Sequence, residues 1–143
     1  MAPLSRAGTL TIWSALLSLW RIPMSRLLAM TLGPFLLLAG TTICAAGITA
    51  FASFSRMSGM KTDRLISGGI YCWSRNPQNV GLRIALIGVA ILGRSGFALL
   101  LAALFWVLLR IYLPIEEAYL WRIFGEPYED YYCRTARFIG RLG

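Results

Sequence analysis

The chain has 143 residues, 57% of them hydrophobic and only 14% charged, where soluble domains carry roughly a quarter charged. Fourteen basic residues face six acidic ones, a formal charge of +8, and every acid lies at or beyond Asp63. This balance excludes a soluble globular fold. Three scattered cysteines (Cys44, Cys72, Cys133) and no histidine also argue against a zinc site or a disulfide framework. The arginines flank apolar runs and do not crowd one polar face, so membrane lipids, not nucleic acid, are the expected partner.

Residues 10–20 form a short apolar block between Arg6 and Arg21. A short helix is expected over 8–22, lying in the interface, crossing obliquely or joining the bundle, with Trp13 and Trp20 at headgroup depth. Residues 27–55 then carry no charge between Arg26 and Arg56. A membrane helix needs about 20 apolar residues, so a span is expected over 25–54. Gly33-Pro34 is its expected kink, and Gly40, Ala45, Ala46 and Gly47 would let a neighbouring helix close in. A cleaved secretory leader fits poorly, because its apolar region runs only about 7–15 residues.

Residues 56–79 turn polar and basic, with Ser67-Gly68-Gly69 and Asn76-Pro77 as turn signals, and read as a loop outside the hydrocarbon. A helical hairpin follows over 80–113, its arms 80–93 and 97–113 joined by Gly93-Arg94-Ser95-Gly96. Arg83, early in the first arm, either snorkels to the interface or faces a polar cavity. Pro114 marks a bend, and a new helix is expected over 115–124. Gly125-Glu126-Pro127 breaks it before a last helix over 128–135, where Asp130 and Arg134 stand at pairing distance. The expected architecture is one all-α integral membrane domain over 1–143. It is a bundle of three to four membrane helices including the C-terminal hairpin, with short cytosolic helices after it in a tail over 114–143.

Both ends of a hairpin emerge on one face, so the loop and the tail meet. Together they hold Arg56, Lys61, Arg64, Arg75, Arg122, Arg134, Arg137 and Arg141, whereas the hairpin tip has Arg94. The positive-inside rule then puts loop and tail in the cytoplasm. Arg21 and Arg26 fall on the far side if a single span separates them from the loop.

These two polar stretches hold the groups that are costly beside hydrocarbon. Glu116 and Glu117 are adjacent carboxylates that repel one another unless a cation joins them. Their simplest reading is the acidic first turn of a helix begun by Pro114. The functional reading is that one binds a ligand ammonium while the other pairs with Arg75 or Arg137, and sequence does not choose between the two glutamates. Arg75 is otherwise a boundary arginine, and Arg137 contacts either lipid phosphate or a substrate carboxylate. Gly69 and Gly81 permit close backbone approach to a ligand or serve as turn and packing glycines. Tyr128, Tyr131 and Tyr132 are interfacial anchors or the wall of a pocket for a planar base.

Taken whole, the order is G-x-Y-x-x-x-R-N-P-x-x-x-G, a hairpin, then E-E-x-x-L-x-x-x-F-G-x-x-Y-x-x-Y-x-x-x-x-x-R-F-I. This pattern resembles the isoprenylcysteine carboxyl methyltransferase and phospholipid methyltransferase superfamily. The resemblance covers residues 65–139, and the run over 27–54 looks like that family's preceding span. It implies S-adenosylmethionine as cofactor, bound at the cytosolic membrane face, and a lipophilic small molecule or lipid as methyl acceptor. The loop motif carries over to Gly69, Tyr71, Arg75, Asn76, Pro77 and Gly81. The tail motif carries over to Glu116, Glu117, Leu120, Phe124, Gly125, Tyr128, Tyr131 and Arg137. Arg75 and Arg137 are then the expected catalytic pair. Tyr71, Asn76, Pro77, Gly81, Glu116, Glu117, Tyr128 and Tyr131 are the expected cofactor contacts, and no metal is implied. Two positions depart from the family pattern: Asn76 replaces the usual histidine, and Asn79 the usual tyrosine. Asparagine cannot act as a base near neutrality. The pattern thus favours an acceptor already ionised, a carboxylate, over an amine or thiol. The competing class is a non-catalytic membrane scaffold in which the same charges only lock the cap.

Overall fold

The computed structural model of the chain describes residues 2–17, 20–57, 65 and 67–140. Lys61, Asp63, Arg64 and Arg141 lie outside the described residues, as do 58–64 and 66 of the expected loop over 56–79. Among the described residues five α-helices follow in order: α1 (Ala2–Leu16), α2 (Arg26–Met57), α3 (Pro77–Leu92), α4 (Gly96–Phe124) and α5 (Glu126–Arg134), with a 3-10 turn at Gly69–Cys72. Among the described residues the one β-type pairing is an isolated bridge between Arg21 and Ser95.

The uncharged run folds as a single 32-residue helix that continues through Gly33-Pro34. Its exposed threonines need no outside partner. Thr31, Thr41, Thr42 and Thr49 each donate to a carbonyl one turn back on α2, which leaves no unmet hydroxyl donor toward lipid. Gly33, Gly40 and Gly47 recur every seven residues and so share one side of the helix. That side lies antiparallel against α3. A Cβ added at Gly40 would strike the backbone of Ala85 and Gly81, and one at Gly81 would strike Cys44 and Gly40. At Gly88 it would meet Leu37 and Gly33, and at Gly47 the Gln78 side chain. The two backbones therefore touch along their length, the close approach that small residues permit in membranes. Ala45 and Ala46, expected in this contact, are exposed instead: the glycine period, and not overall smallness, sets the packed side.

α3 starts at Pro77, three residues before the expected hairpin arm, because proline at a first helical position gives up a donor that would be unpaired anyway. α3 and α4 pack through Leu86, Ala102, Phe105, Leu109 and Leu113. The hairpin turn holds Arg94 at φ +51°, and the Ser95 hydroxyl caps α4 by accepting from Ala98 N at 3.1 Å. The segment after α1 straps this tip: Ile22 N donates to Arg94 O at 2.8 Å and Gly96 N to Trp20 O at 2.7 Å. α1 is displaced toward the N-terminus from the expected 8–22 and joins the bundle, with Ala15 buried against Ala90 and Ala98. Trp13 and Trp20 stay exposed.

The largest departure is at Pro114. No new helix begins there; α4 continues as one 29-residue helix from Gly96 to Phe124 with Pro114 inside it. The proline is on the exposed side, whereas Leu109, Leu113 and Glu117 on the packed side are buried. Side-chain packing thus holds the turn from which one backbone donor is missing. Glu116 and Glu117 are consequently far inside a helix, not in its first turn. α5 likewise begins at Glu126, two residues earlier than expected, with Pro127 in its first turn.

Candidate functional site

The loop before α3 and the tail after α4 meet at the end of the bundle opposite the hairpin turn, and backbone bonds stitch them. Arg75 N donates to Ala136 O at 3.1 Å and Gly140 N to Trp73 O at 2.9 Å. The Asn76 amide donates to Arg137 O at 3.3 Å and accepts from Asn79 Nδ2 at 3.4 Å. Tyrosines complete the framework. Tyr131 OH donates to Tyr71 O at 2.9 Å, and Tyr71 OH donates to Gly47 O at 3.3 Å while accepting from Gln78 Nε2 at 2.9 Å. A chain of contacts thus runs from α2 through the loop to α5. Gly69, with φ +62° and open space around it, lets the chain turn into this arrangement.

Glu117 is the centre of the charged groups. Its carboxylate takes Arg137 in two-pronged fashion, with Nε to Oε1 at 3.1 Å and Nη2 to Oε2 at 2.6 Å. Arg75 Nη1 approaches Oε1 at 3.2 Å. The Arg75 and Glu117 side chains are only 6% and 7% exposed, so neither charge is tolerable without the other. Yet Arg75 Nη1 reaches Glu117 without hydrogen-bond alignment, and its Nε and Nη1 have no acceptor among the described residues. Two donors of a nearly buried guanidinium are therefore open. The hydrogen bond to Glu117 pushes the Arg137 guanidinium further up than its ordinary range.

Aromatic rings wall the site. The Arg75 guanidinium lies 3.8 Å above the Tyr132 ring, a stabilising stack for a desolvated cation. Trp121 stands 5.2 Å from Tyr132 and 6.0 Å from Tyr128. Burial, with the Glu117 charge adding to it, holds the Tyr128 phenol above its usual pKa although Arg75 pulls the other way. Burial likewise raises Tyr131 and Tyr71, the Glu116 carboxylate adding to the effect at Tyr71. All three stay neutral hydroxyls at neutral pH.

The structure sorts the residues expected here. Arg75, Arg137 and Glu117 come together, with Tyr128 buried beside them. Glu116 is exposed and makes no ion pair among the described residues, so the adjacent glutamates differ completely in environment. Asn76 and Pro77 begin α3 at the edge of this cluster. Tyr71 and Tyr131 are hydrogen-bonded struts of the framework. Gly81 is the correction: its open side is filled by α2, leaving no room for a ligand to approach its backbone. Tyr132, expected as an interfacial anchor or a pocket wall, stacks on Arg75, and Trp121 was not among the expected contacts. The choice between Glu116 and Glu117, left open by the sequence reading, had a signal in helical phase: Ala98, Ala102, Phe105, Leu109, Leu113 and Glu117 step down one side of an unbroken α4 by threes and fours.

With this geometry in view, the comparison with known proteins decides the family. The profile of the phospholipid methyltransferase family matches residues 28–127. The chain belongs to the phospholipid methyltransferase family. That match takes in nearly all of α2, with α3, α4, Arg75 and Glu117, and ends before Arg137, so one arm of the charged cluster lies beyond it. A curated protein from Schizosaccharomyces pombe, named protein-S-isoprenylcysteine O-methyltransferase, is 34% identical over 101 residues. The alignment covers 68% of this chain but 43% of that protein, so the chain spans less than half the relative's length. No solved structure matches. As expected of a membrane methyltransferase family, two helices among the described residues, α2 over Arg26–Ala50 and α4, are long and apolar enough to cross a membrane.

Proposed function

We propose that the chain uses S-adenosylmethionine to methylate a lipophilic acceptor at the cytosolic membrane face, and that the acceptor atom is a carboxylate oxygen of isoprenylcysteine type. The observation that carries this reading is Arg75, whose buried Nε and Nη1 lack acceptors among the described residues although Glu117 lies beside them. Unmet donors of a buried charged group are costly, and a ligand carboxylate satisfies a guanidinium in its own plane. Glu116 offers the complement, a carboxylate without an ion-pair partner among the described residues, for a ligand ammonium. One open cationic donor set, one free anion and the rings of Tyr128, Tyr132 and Trp121 fit the amino-acid end and planar base of the cofactor.

S-adenosylmethionine supplies a methyl group already activated on sulfonium. The side chains bind and orient. Glu117 fixes Arg75 and Arg137, which hold carboxylates, and the bundle of rings limits water. A carboxylate acceptor is ionised at neutral pH, its ordinary pKa being about 4, so no residue has to remove a proton. Asn76, standing where the family pattern has histidine, ties the tail through its amide. The name of the Schizosaccharomyces pombe relative supports a carboxyl acceptor. The family's own description favours a second reading, a phospholipid acceptor; with an amine as its acceptor atom, Glu116 takes the proton instead of binding an ammonium.

The test is binding of labelled S-adenosylmethionine to detergent-purified protein. Charged hydrogen bonds contribute about 1.5–3 kcal/mol, so Glu116→Gln, Glu117→Gln and Arg75→Ala should each weaken binding about 10- to 100-fold. Undiminished binding in all three removes the assignment. Methyl transfer to farnesylcysteine but not to phosphatidylethanolamine separates the two acceptor readings.

A further inference from the structure

A second pair of cations lies on the bilayer side of the charged cluster and takes no part in it. Arg83 is the seventh residue of α3, and Arg110 stands two turns before Glu117 on α4. Both guanidiniums address one indole: Arg83 lies 3.7 Å from the Trp106 ring and Arg110 lies 5.3 Å from it. Phe138 of the tail closes over the same ring at 4.2 Å, and Arg110 is 5.6 Å from Phe138. Neither arginine has a carboxylate partner among the described residues, where the ion pairs are those of Arg75, Arg137 and Arg134.

Two like charges gathered on one ring repel, and stacking on an indole neutralises neither. Beside hydrocarbon such a pair calls for an anion. At 1.5 Å per residue, Arg83 stands about 9 Å along α3 from its first residue, and Arg110 roughly 10 Å from Glu117. The pair is thus displaced toward the bilayer from the Glu117 cluster. Arg110 is itself exposed, and Val107 and Ile111 beside it are 51% and 63% exposed. A cationic head site thus opens directly onto an apolar surface. A soluble anion would use the first feature and leave the second unused.

We propose that Arg83 and Arg110, gathered on Trp106, hold the phosphate of an anionic membrane phospholipid, whose acyl chains lie along α4 beside Val107 and Ile111. The shared chemistry is a phosphate group; the exposed apolar flank selects the lipid-borne form. The lipid then packs against the side of the hairpin that Phe138 covers, and ties the tail to the membrane. This site is separate from the cofactor reading and stands without it.

Native mass spectrometry of the full chain in detergent, with phosphatidylglycerol or phosphatidylcholine added, tests the proposal. One phosphatidylglycerol should be retained in preference to phosphatidylcholine. Arg83→Gln/Arg110→Gln should lower that retention at least tenfold, with Arg134→Gln, an exposed arginine elsewhere, as the unaffected control. Because Arg110 is exposed, Arg110→Gln alone should leave folding intact, checked by the thermal melt, and should still cost about fivefold. Unchanged retention in Arg110→Gln overturns the site, as does equal retention of the two lipids. Excess inorganic phosphate should leave the bound lipid in place. If it displaces the lipid, the occupant is the soluble anion and the lipid assignment fails.

Discussion

The middle of the bundle and its polar end are built on opposite rules. Along α2 and α3 the contact depends on what is missing: Gly40 and Gly81 leave so little space that a single added carbon meets backbone. At the end where loop and tail meet, the contact depends on what is present: one carboxylate, Glu117, is shared by two arginines from segments 62 residues apart in number, Arg75 and Arg137. The first region resists any gain of volume. The second resists any loss of charge. Their meeting point is Tyr71, which donates to Gly47 at the end of the glycine row and accepts Tyr131 OH at its own carbonyl.

The contrast can be broken from either side. Glu117→Ala should have the largest effect. It strands two arginines, one nearly buried, and losing one partner of a buried pair costs about 3–5 kcal/mol. A thermal melt in detergent should show it, and loss of Arg137 contact should loosen the tail to protease. Gly40→Leu should cost somewhat less, on the order of 3 kcal/mol, the upper end for forced overpacking. Its mark is lost helix packing with the charge cluster's chemistry untouched, so a Gly40→Leu protein that melts like the parent would show that the backbones do not touch. Tyr131→Phe should be milder, about 1 kcal/mol for one hydrogen bond.

The alkaline limb sharpens the same point. Tyr71, Tyr128 and Tyr131 are all held above the ordinary phenol range, by burial first. Groups raised in the folded state keep their protons longer than in the unfolded chain. Their stabilisation is therefore full below about pH 10 and is lost as pH rises through the folded values. Melting temperature should stay flat on this account from neutral pH to about 9 and fall above 10, and Tyr131→Phe should shallow that fall.

Much of the fold was legible because its signals are local. The hairpin turn is announced by Gly93-Arg94-Ser95-Gly96, and the uncharged run between Arg26 and Arg56 admits little but a span. The meeting of loop and tail followed from hairpin geometry alone. Pro114 was misleading because local propensity opposes a helix there while the buried Leu109, Leu113 and Glu117 on its other side preserve one. That error carried into the site, since a helix starting at Pro114 makes Glu116 and Glu117 equivalent. Gly81 was ambiguous for a different reason: a glycine that admits a ligand and one that admits a helix read alike until the partner is known. The Arg83–Arg110 pair depends on the register of α3 against α4, which no short stretch of sequence states.

The route by which Arg137 reaches Glu117 also fixes an order of assembly. α4 delivers the carboxylate, but its second cation arrives 20 residues later, after α5 has reversed the chain. During synthesis α3 and α4 are complete while that acid is still short of one partner. A segment made after α4 and α5 completes the cluster, so closure of the cap trails formation of the helix pair beneath it.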